Sequence, residues 1–356
     1  MTICYFGLYH PKHPRNVIFI DALKRQGISV IEINHGGQGP AKYLKMARDL
    51  FKVRKNIDAI IVGFPGQQAV FIAKLVYRRG PVVLNALLSL YDAVILDRKV
   101  YPRFHWRAAY YWLLDFFAFH AADHVIMDCQ AYIDFIGQKF LVNRKKCSRI
   151  FLGANEKVIS PKLIKEDAFV IHYYSSFIPT HGTDVIIRAA KILEPDGISV
   201  VFSGRGQCYG RDVALADELK TINVKFTERL PDSEALNEFI NSSWVSLGLF
   251  SSIDRGRRCI SSKVFEALCC GRPVITAYTP AAAELLKDGE SVLFSKSGDP
   301  ASLAEAIIRL KKDDALRLKI AAGGRAAYER SASEEVISHE LSALLKRLCS
   351  ESAHRS

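Results

Sequence analysis

Polar and apolar positions in this chain follow two alternating periods over nearly its whole length. Short apolar runs at 2–7, 28–33, 59–62, 82–85, 124–127 and 149–152 predict strands. Between them, at 16–26, 43–54, 67–78, 107–121 and 131–140, apolar residues recur every three to four positions and predict helices. The strand runs lack polar alternation, as expected of parallel strands covered by helices on both faces. The rhythm restarts at 169–174 and continues through strands at 199–202, 224–226, 245–250 and 274–276. Helices are expected at 184–193, 212–219, 233–241, 299–311, 313–329 and 334–348, and from Ser262 to a stop at Gly271. The fold class is therefore α/β, with two doubly wound, Rossmann-like domains in tandem. The expected division is 1–165, 166–330, and a C-terminal helix, 331–356, that packs back on the first domain. Such domains bind ligands at the carboxyl ends of their strands, here across a cleft between the two.

Composition narrows the class. At 356 residues, 49% hydrophobic and 24% charged, the chain is globular and too long for one compact core. Its eight cysteines are scattered without CxxC spacing, which predicts free thiols in a reducing compartment. No Asp-x-Asp pair and no His/Cys cluster has metal-ligand spacing, so no metal and no cofactor is expected. The opening MTICYFGLYHP reads as a first strand and not a leader peptide. The apolar window 108–122, broken by Asp115 and His120, is too short and polar to span a bilayer. A cytoplasmic protein is expected.

Charge divides unevenly. Residues 1–165 hold 25 Lys+Arg against 11 Asp+Glu (+14), and the remainder 24 against 26 (−2), which together give the net +12. The first half is thus suited to an anionic partner: acidic lipid, a phosphate-bearing acceptor or nucleic acid. No nucleic-acid module is recognisable, which disfavours the last. The run 101–119, YPRFHWRAAYYWLLDFFAF, mixes aromatic and basic residues in a way that suits a membrane interface or a lipid-linked acceptor, with core packing as the alternative.

The most informative chemistry lies at 261–288, SSKVFEALCCGRPVITAYTPAAAELLKD. A helix starting at Ser262 offers backbone N–H groups to a phosphate, with Lys263 and Glu266 in its first turns, and a carboxylate there suits ribose hydroxyls. An ordinary αβ unit with a solvated glutamate would look the same. The segment resembles the sugar-nucleotide motif of glycosyltransferase family 4, group 1 enzymes of the GT-B fold, and the resemblance is densest from Phe169 to Arg330. It implies a retaining, metal-independent transferase whose second domain binds a nucleotide diphosphate sugar, with Glu266 holding the donor ribose.

Two departures from that pattern stand out. The loop 175–184, SSFIPTHGTD, has Ser175 for the family's glycine, Ser176 for its arginine and His181 for its lysine, with Gly182 kept. It reads as a variant branch with a Phe-Ile-Pro-x-His-Gly loop. Arg258 stands where a second glutamate is expected, eight residues before Glu266. Together with Arg255, Arg257 and Lys263 it would supply positive charge for the departing diphosphate. Gly204-Arg205-Gly206 resembles the family's Gly-x-Gly turn beside the nucleotide. In the first domain, Gly7 ends the first strand near donor phosphate with Arg15 following, and a Gly-rich loop spans 35–40. Asp92, with Asp97 behind it, is the candidate to orient the reacting sugar, His181 the candidate donor to a phosphate or sugar hydroxyl. The expected partners are a nucleotide sugar, a glycan or lipid-linked acceptor, and an anionic inner membrane surface reached peripherally. A non-catalytic partner protein and a nucleotide-sugar epimerase or hydrolase are the alternatives.

Overall fold

The structure, a computed structural model, describes residues 1–35, 39–163 and 169–354. Residues 36–38 of the Gly-rich loop and the expected junction at 165/166 lie outside the described residues. The chain divides into two compact units, 1–152 with 334–356, and 153–333.

The first unit alternates β1 (Thr2–Gly7), α1 (Pro14–Arg25), β2 (Ser29–Asn34), α2 (Ala41–Val53), β3 (Ala59–Val62), α3 (Gln67–Val76) and β4 (Val82–Asn85). A π-helical turn, Asp92–Asp97, precedes α4 (Trp106–Ala121), β5 (His124–Met127), α5 (Gln130–Lys139) and β6 (Cys147–Arg149). The sheet order is β2-β1-β3-β4-β5-β6, all parallel. Every residue of β3, β4 and β5 is buried, which is why these runs carry no polar alternation. Growth of the sheet reverses direction between β1 and β3, the switch point at which ligands bind in such sheets. Gly7, at φ +145°, and Gly63 close the two strands there.

The strand expected at 149–152 is displaced to Cys147–Arg149. The reason is Arg15. It is fully buried, and its Nη1 donates to the carbonyls of both Ile150 and Phe151 (2.8 Å each) while Nε donates to Asn85 Oδ1 (2.9 Å). The chain leaving the sheet is thus held by the Ile150 N–H on the Met127 carbonyl of β5 (2.9 Å) and, through its own carbonyls, by the Arg15 side chain.

The second unit runs β7 (Val170–Tyr174), α6 (Thr183–Ile192), β8 (Ser199–Ser203), α7 (Tyr209–Glu218), β9 (Val224–Thr227), α8 (Ser233–Ser242) and β10 (Ser246–Leu247). It continues through α9 (Ser262–Cys269), β11 (Val274–Ala277), α10 (Pro280–Ala283), β12 (Leu293–Ser295), α11 (Pro300–Lys312) and α12 (Asp314–Ser331). Two three-stranded parallel sheets, β7-β8-β9 and β10-β11-β12, meet along β7 and β10. Three bonds close that seam: Trp244 N–H to the Val170 carbonyl (3.0 Å), His172 N–H to Ser243 Oγ (3.0 Å), and Tyr173 Oη to the Gly248 carbonyl (3.0 Å). The seam is this unit's switch point. The strand expected at 245–250 is regular only over Ser246–Leu247, because the Thr276 hydroxyl enters the ladder and accepts the Leu249 N–H (3.1 Å).

After α12 the chain re-enters the first unit as α13 (Glu334–Ala353), which packs along α1. Its Ile337, Leu341, Leu344 and Leu345 join Ile18, Phe19 and Leu23 in one core, and Glu334 pairs with Arg25 (2.7 Å). All eight cysteines are free thiols, and among the described residues no helix is long and apolar enough to cross a membrane.

Candidate active site

In the second unit the loops after β7, β8 and β10 and the start of α9 converge at the carboxyl ends of the strands. The loop after β7 is anchored from within. Phe177 is buried among Phe202, Tyr209 and Phe226, and its N–H donates to Ser175 Oγ (2.8 Å). The same hydroxyl lies 2.8 Å from His181 Nδ1, which fixes the orientation of a buried imidazole. Ser176, in the family's arginine position, is exposed. Gly182 adopts φ +67°, and a Cβ there would sit 2.3 Å from the Ser251 nitrogen, so this glycine is required by both its backbone and its neighbour.

The Gly-x-Gly turn has a packing reason of its own. A Cβ on Gly204 or Gly206 would meet the Ser175 or Ser176 carbonyl oxygen at 2.2 or 1.8 Å. These glycines let the two ligand-facing loops pass backbone against backbone. Gly206→Ala is expected to destabilise the unit by about 1–3 kcal/mol through overpacking, read as a lower urea midpoint at unchanged slope. Arg205 is exposed and pairs with Glu228 (3.3 Å) at the surface.

At the start of α9, Ser261 makes no side-chain cap, the Val264 N–H bonds the Ser261 carbonyl (3.0 Å), and Ser262 is half-buried. Lys263 and Glu266 are both buried, one turn apart. Tyr174 Oη, at the end of β7, donates to Glu266 Oε2, and Lys263 Nζ lies 5.2 Å over the Tyr173 ring and 5.6 Å from that of Tyr174. Burial pulls the Lys263 ammonium down to about 8, opposed by Glu266. Burial likewise raises Glu266, opposed by the Tyr174 hydroxyl and by Lys263. A buried cation and a buried anion are thus held at the mouth of a helix N-terminus, suited to a diphosphate and a diol respectively. Arg258 is buried in the 3-10 turn Asp254–Arg258 and ion-paired with Asp254, to whose carbonyl it also donates (3.1 Å). Its charge is already half-answered within its own turn. Arg257 is exposed.

The first unit buries three of the residues expected at the site. Asp92 and Asp97 are fully buried at the two ends of the π-turn, and Asp92 Oδ2 accepts from Tyr132 Oη (2.7 Å). With no accessible surface, neither presents an atom to a sugar here. Arg15, expected beside donor phosphate or acceptor, is likewise enclosed by carbonyls and Asn85, with its guanidinium 4.1 Å over Phe19. Gly7 does stand at the switch point.

Two residues gave little sign of their roles in the sequence. Asp115, which reads there only as a break in an apolar window, caps the segment before the π-turn, accepting Ser89 Oγ (2.7 Å) and the Tyr91 and Leu90 N–H groups (2.8 and 3.2 Å). Burial pushes its carboxyl up to about 6. A lone acid on the core side of an apolar helix was the available signal. Tyr174, the partner of Glu266, looks like one more strand residue.

Comparison with known proteins places this geometry. Residues 155–327 match the family model for glycosyl transferases group 1, which covers nearly all of the second unit. An uncharacterised glycosyltransferase of Methanocaldococcus jannaschii is 26% identical over 215 residues, 56% of this chain and 52% of that protein. A phosphatidyl-myo-inositol mannosyltransferase of Mycobacterium leprae is 37% identical over 175 residues, 48% of this chain and 43% of that protein. The chain thus spans about half the length of the curated relatives it matches. Among solved structures, Anabaena HepE in complex with UDP-glucose superposes with a TM-score of 0.73 at 17% identity, covering 98% of this chain and 100% of that one. The second unit is therefore similar to group 1 glycosyltransferases over nearly its whole length, in a chain that takes the GT-B fold.

Proposed function

We propose that this protein transfers a sugar from a nucleotide diphosphate sugar to a glycan or lipid-linked acceptor, with retention of anomeric configuration and without a metal. The observation that carries the reading is the Lys263–Tyr174–Glu266 group at the start of α9, beside the β7/β10 switch point of a group 1 glycosyltransferase domain. Support comes from a structural neighbour whose crystal holds UDP-glucose. Tyr174 holds one oxygen of Glu266 and leaves the other for the ribose diol. Lys263, the α9 N–H groups, His181 and the arginines of the 254–258 turn would meet the diphosphate. In the step itself the anomeric carbon–phosphate oxygen bond breaks. The acceptor oxygen bonds on the face the diphosphate leaves, and the acceptor proton passes to the departing phosphate.

Thermal-shift titration with UDP, GDP, TDP, ADP and their sugar conjugates tests the donor class. Stabilisation by one base, lost in Glu266→Ala, supports the reading. No stabilisation by any would favour a non-catalytic partner protein, to which the ion-paired Arg258 in the family's glutamate position would then belong. Hydrolysis or epimerisation of donor without acceptor would favour the third alternative, and transfer that EDTA abolishes would remove the metal-free mechanism.

The pH dependence follows from Lys263. Its ammonium form is the one that binds diphosphate, and a nucleotide sugar stays ionised throughout the range. Donor affinity is therefore expected to be full below pH about 8 and to fall above it. Lys263→Met should weaken binding and flatten that profile, as read by calorimetry across pH.

A further inference from the structure

We propose that the α4 side of the first unit is a docking surface for an anionic phospholipid bilayer. Helix α4 buries Ala108, Leu114, Asp115, Ala118 and Phe119 and exposes the opposite stripe. That stripe is Trp106, Tyr110, Leu113 and Phe117, spaced four, three and four residues apart, so all four point one way. Phe104, entirely exposed at 102%, precedes it, and Leu75 of the adjoining α3 is 73% exposed. Gln68 of α3 donates to Tyr110 Oη (3.0 Å), which locks the two helices into one face. A row of large aromatic and aliphatic side chains turned to water on a rigid helix marks an interaction site.

The charge around it selects the occupant. Arg98, Lys99, Arg103 and Arg107 are all exposed along the same segment, and its sole acid, Asp115, is buried. The first turn is preorganised: His105 caps it, accepting the Arg107 N–H (3.1 Å), and the Arg107 guanidinium stacks 4.7 Å over Tyr101 and 5.2 Å over Trp106. A second copy of the chain, meeting this face symmetrically, would set the four cations against themselves. An anionic headgroup layer answers them, while Trp and Tyr rings settle at headgroup depth and Phe104, Leu113 and Phe117 reach the acyl boundary. The helix would lie in the plane of the membrane.

This surface is where a lipid-linked acceptor would be met, and to that extent the inference extends the proposed function. Its test is independent of it. The full chain is sedimented with phosphatidylcholine vesicles, with and without phosphatidylglycerol, over a salt series and in the absence of donor. Binding only to the phosphatidylglycerol vesicles, weakened by salt, is the expected result. Arg103→Gln and Arg107→Gln should each weaken it about fivefold. The triple variant Phe104→Ser, Trp106→Ser, Phe117→Ser should abolish it at every salt concentration while the unliganded melting midpoint is retained. All three positions are exposed, so the fold is spared. Equal sedimentation of wild type and triple variant, or no binding to phosphatidylglycerol vesicles, overturns the proposal. Dimerisation that the triple variant removes, without vesicle binding, would give the face to a second copy.

Discussion

Glu266→Gln is expected to weaken nucleotide binding by about 10- to 150-fold, the range for losing one hydrogen bond to a charged acceptor. The fold should persist. The amide oxygen still accepts from Tyr174, and the neutral side chain relieves a carboxyl that burial already disfavours as an anion. The unliganded unfolding midpoint should therefore change little, while the stabilisation given by nucleotide collapses. Tyr174→Phe should produce a milder form of the same behaviour, because the carboxylate remains but is no longer held in one orientation. Calorimetry on the three proteins separates these effects. Unaltered affinity in Glu266→Gln would mean that the ribose is held elsewhere.

Arg15→Met should damage the fold more than any of the other substitutions, costing about 3–5 kcal/mol, the range for removing one partner from a buried charged network. The methionine fills the volume but leaves the Ile150 and Phe151 carbonyls and Asn85 Oδ1 without their donors, and Asp128 without its nearby cation. At about 2–4 °C per kcal/mol for a unit of this size, the midpoint should fall by roughly 10 °C. Nucleotide affinity in the surviving folded fraction should be unaltered. A ligand-contacting arginine would give the reverse pattern, weak binding at an ordinary midpoint, so one melting curve with and without nucleotide decides between them.

The architecture was largely legible because parallel strands buried on both faces leave unmistakable apolar runs. β3, β4 and β5 lie where 59–62, 82–85 and 124–127 announced them. The strands that moved or shrank did so where a side chain enters the backbone ladder: Arg15 at 150–151 and Thr276 at Leu249. β12, three residues on a sheet edge between polar turns, carried no pattern to read. The candidate site was read from motif and not from burial. Glu266 and Lys263 stand on α9 as their spacing implied, but nothing local distinguished them from Asp92 and Asp97, which turn inward. Periodicity reports which face a residue occupies on its own element; it does not report what the rest of the fold lays over that face. Asp115 shows the same limit in reverse, since its role depends on backbone amides some 25 residues earlier in the chain.

The route of the chain bears on how the protein is made. α13 completes the core over α1, yet it follows the whole of the second unit in sequence. On the ribosome, the α13 side of Ile18, Phe19 and Leu23 must wait uncovered while all of residues 24–333 are synthesised, at about 5–20 residues per second. The second unit, continuous in sequence, can mature during that interval. The first unit closes only once α13 has left the exit tunnel. The nascent chain therefore passes through a stage with a finished second unit and an unfinished first one, whose apolar groove along α1 is still open.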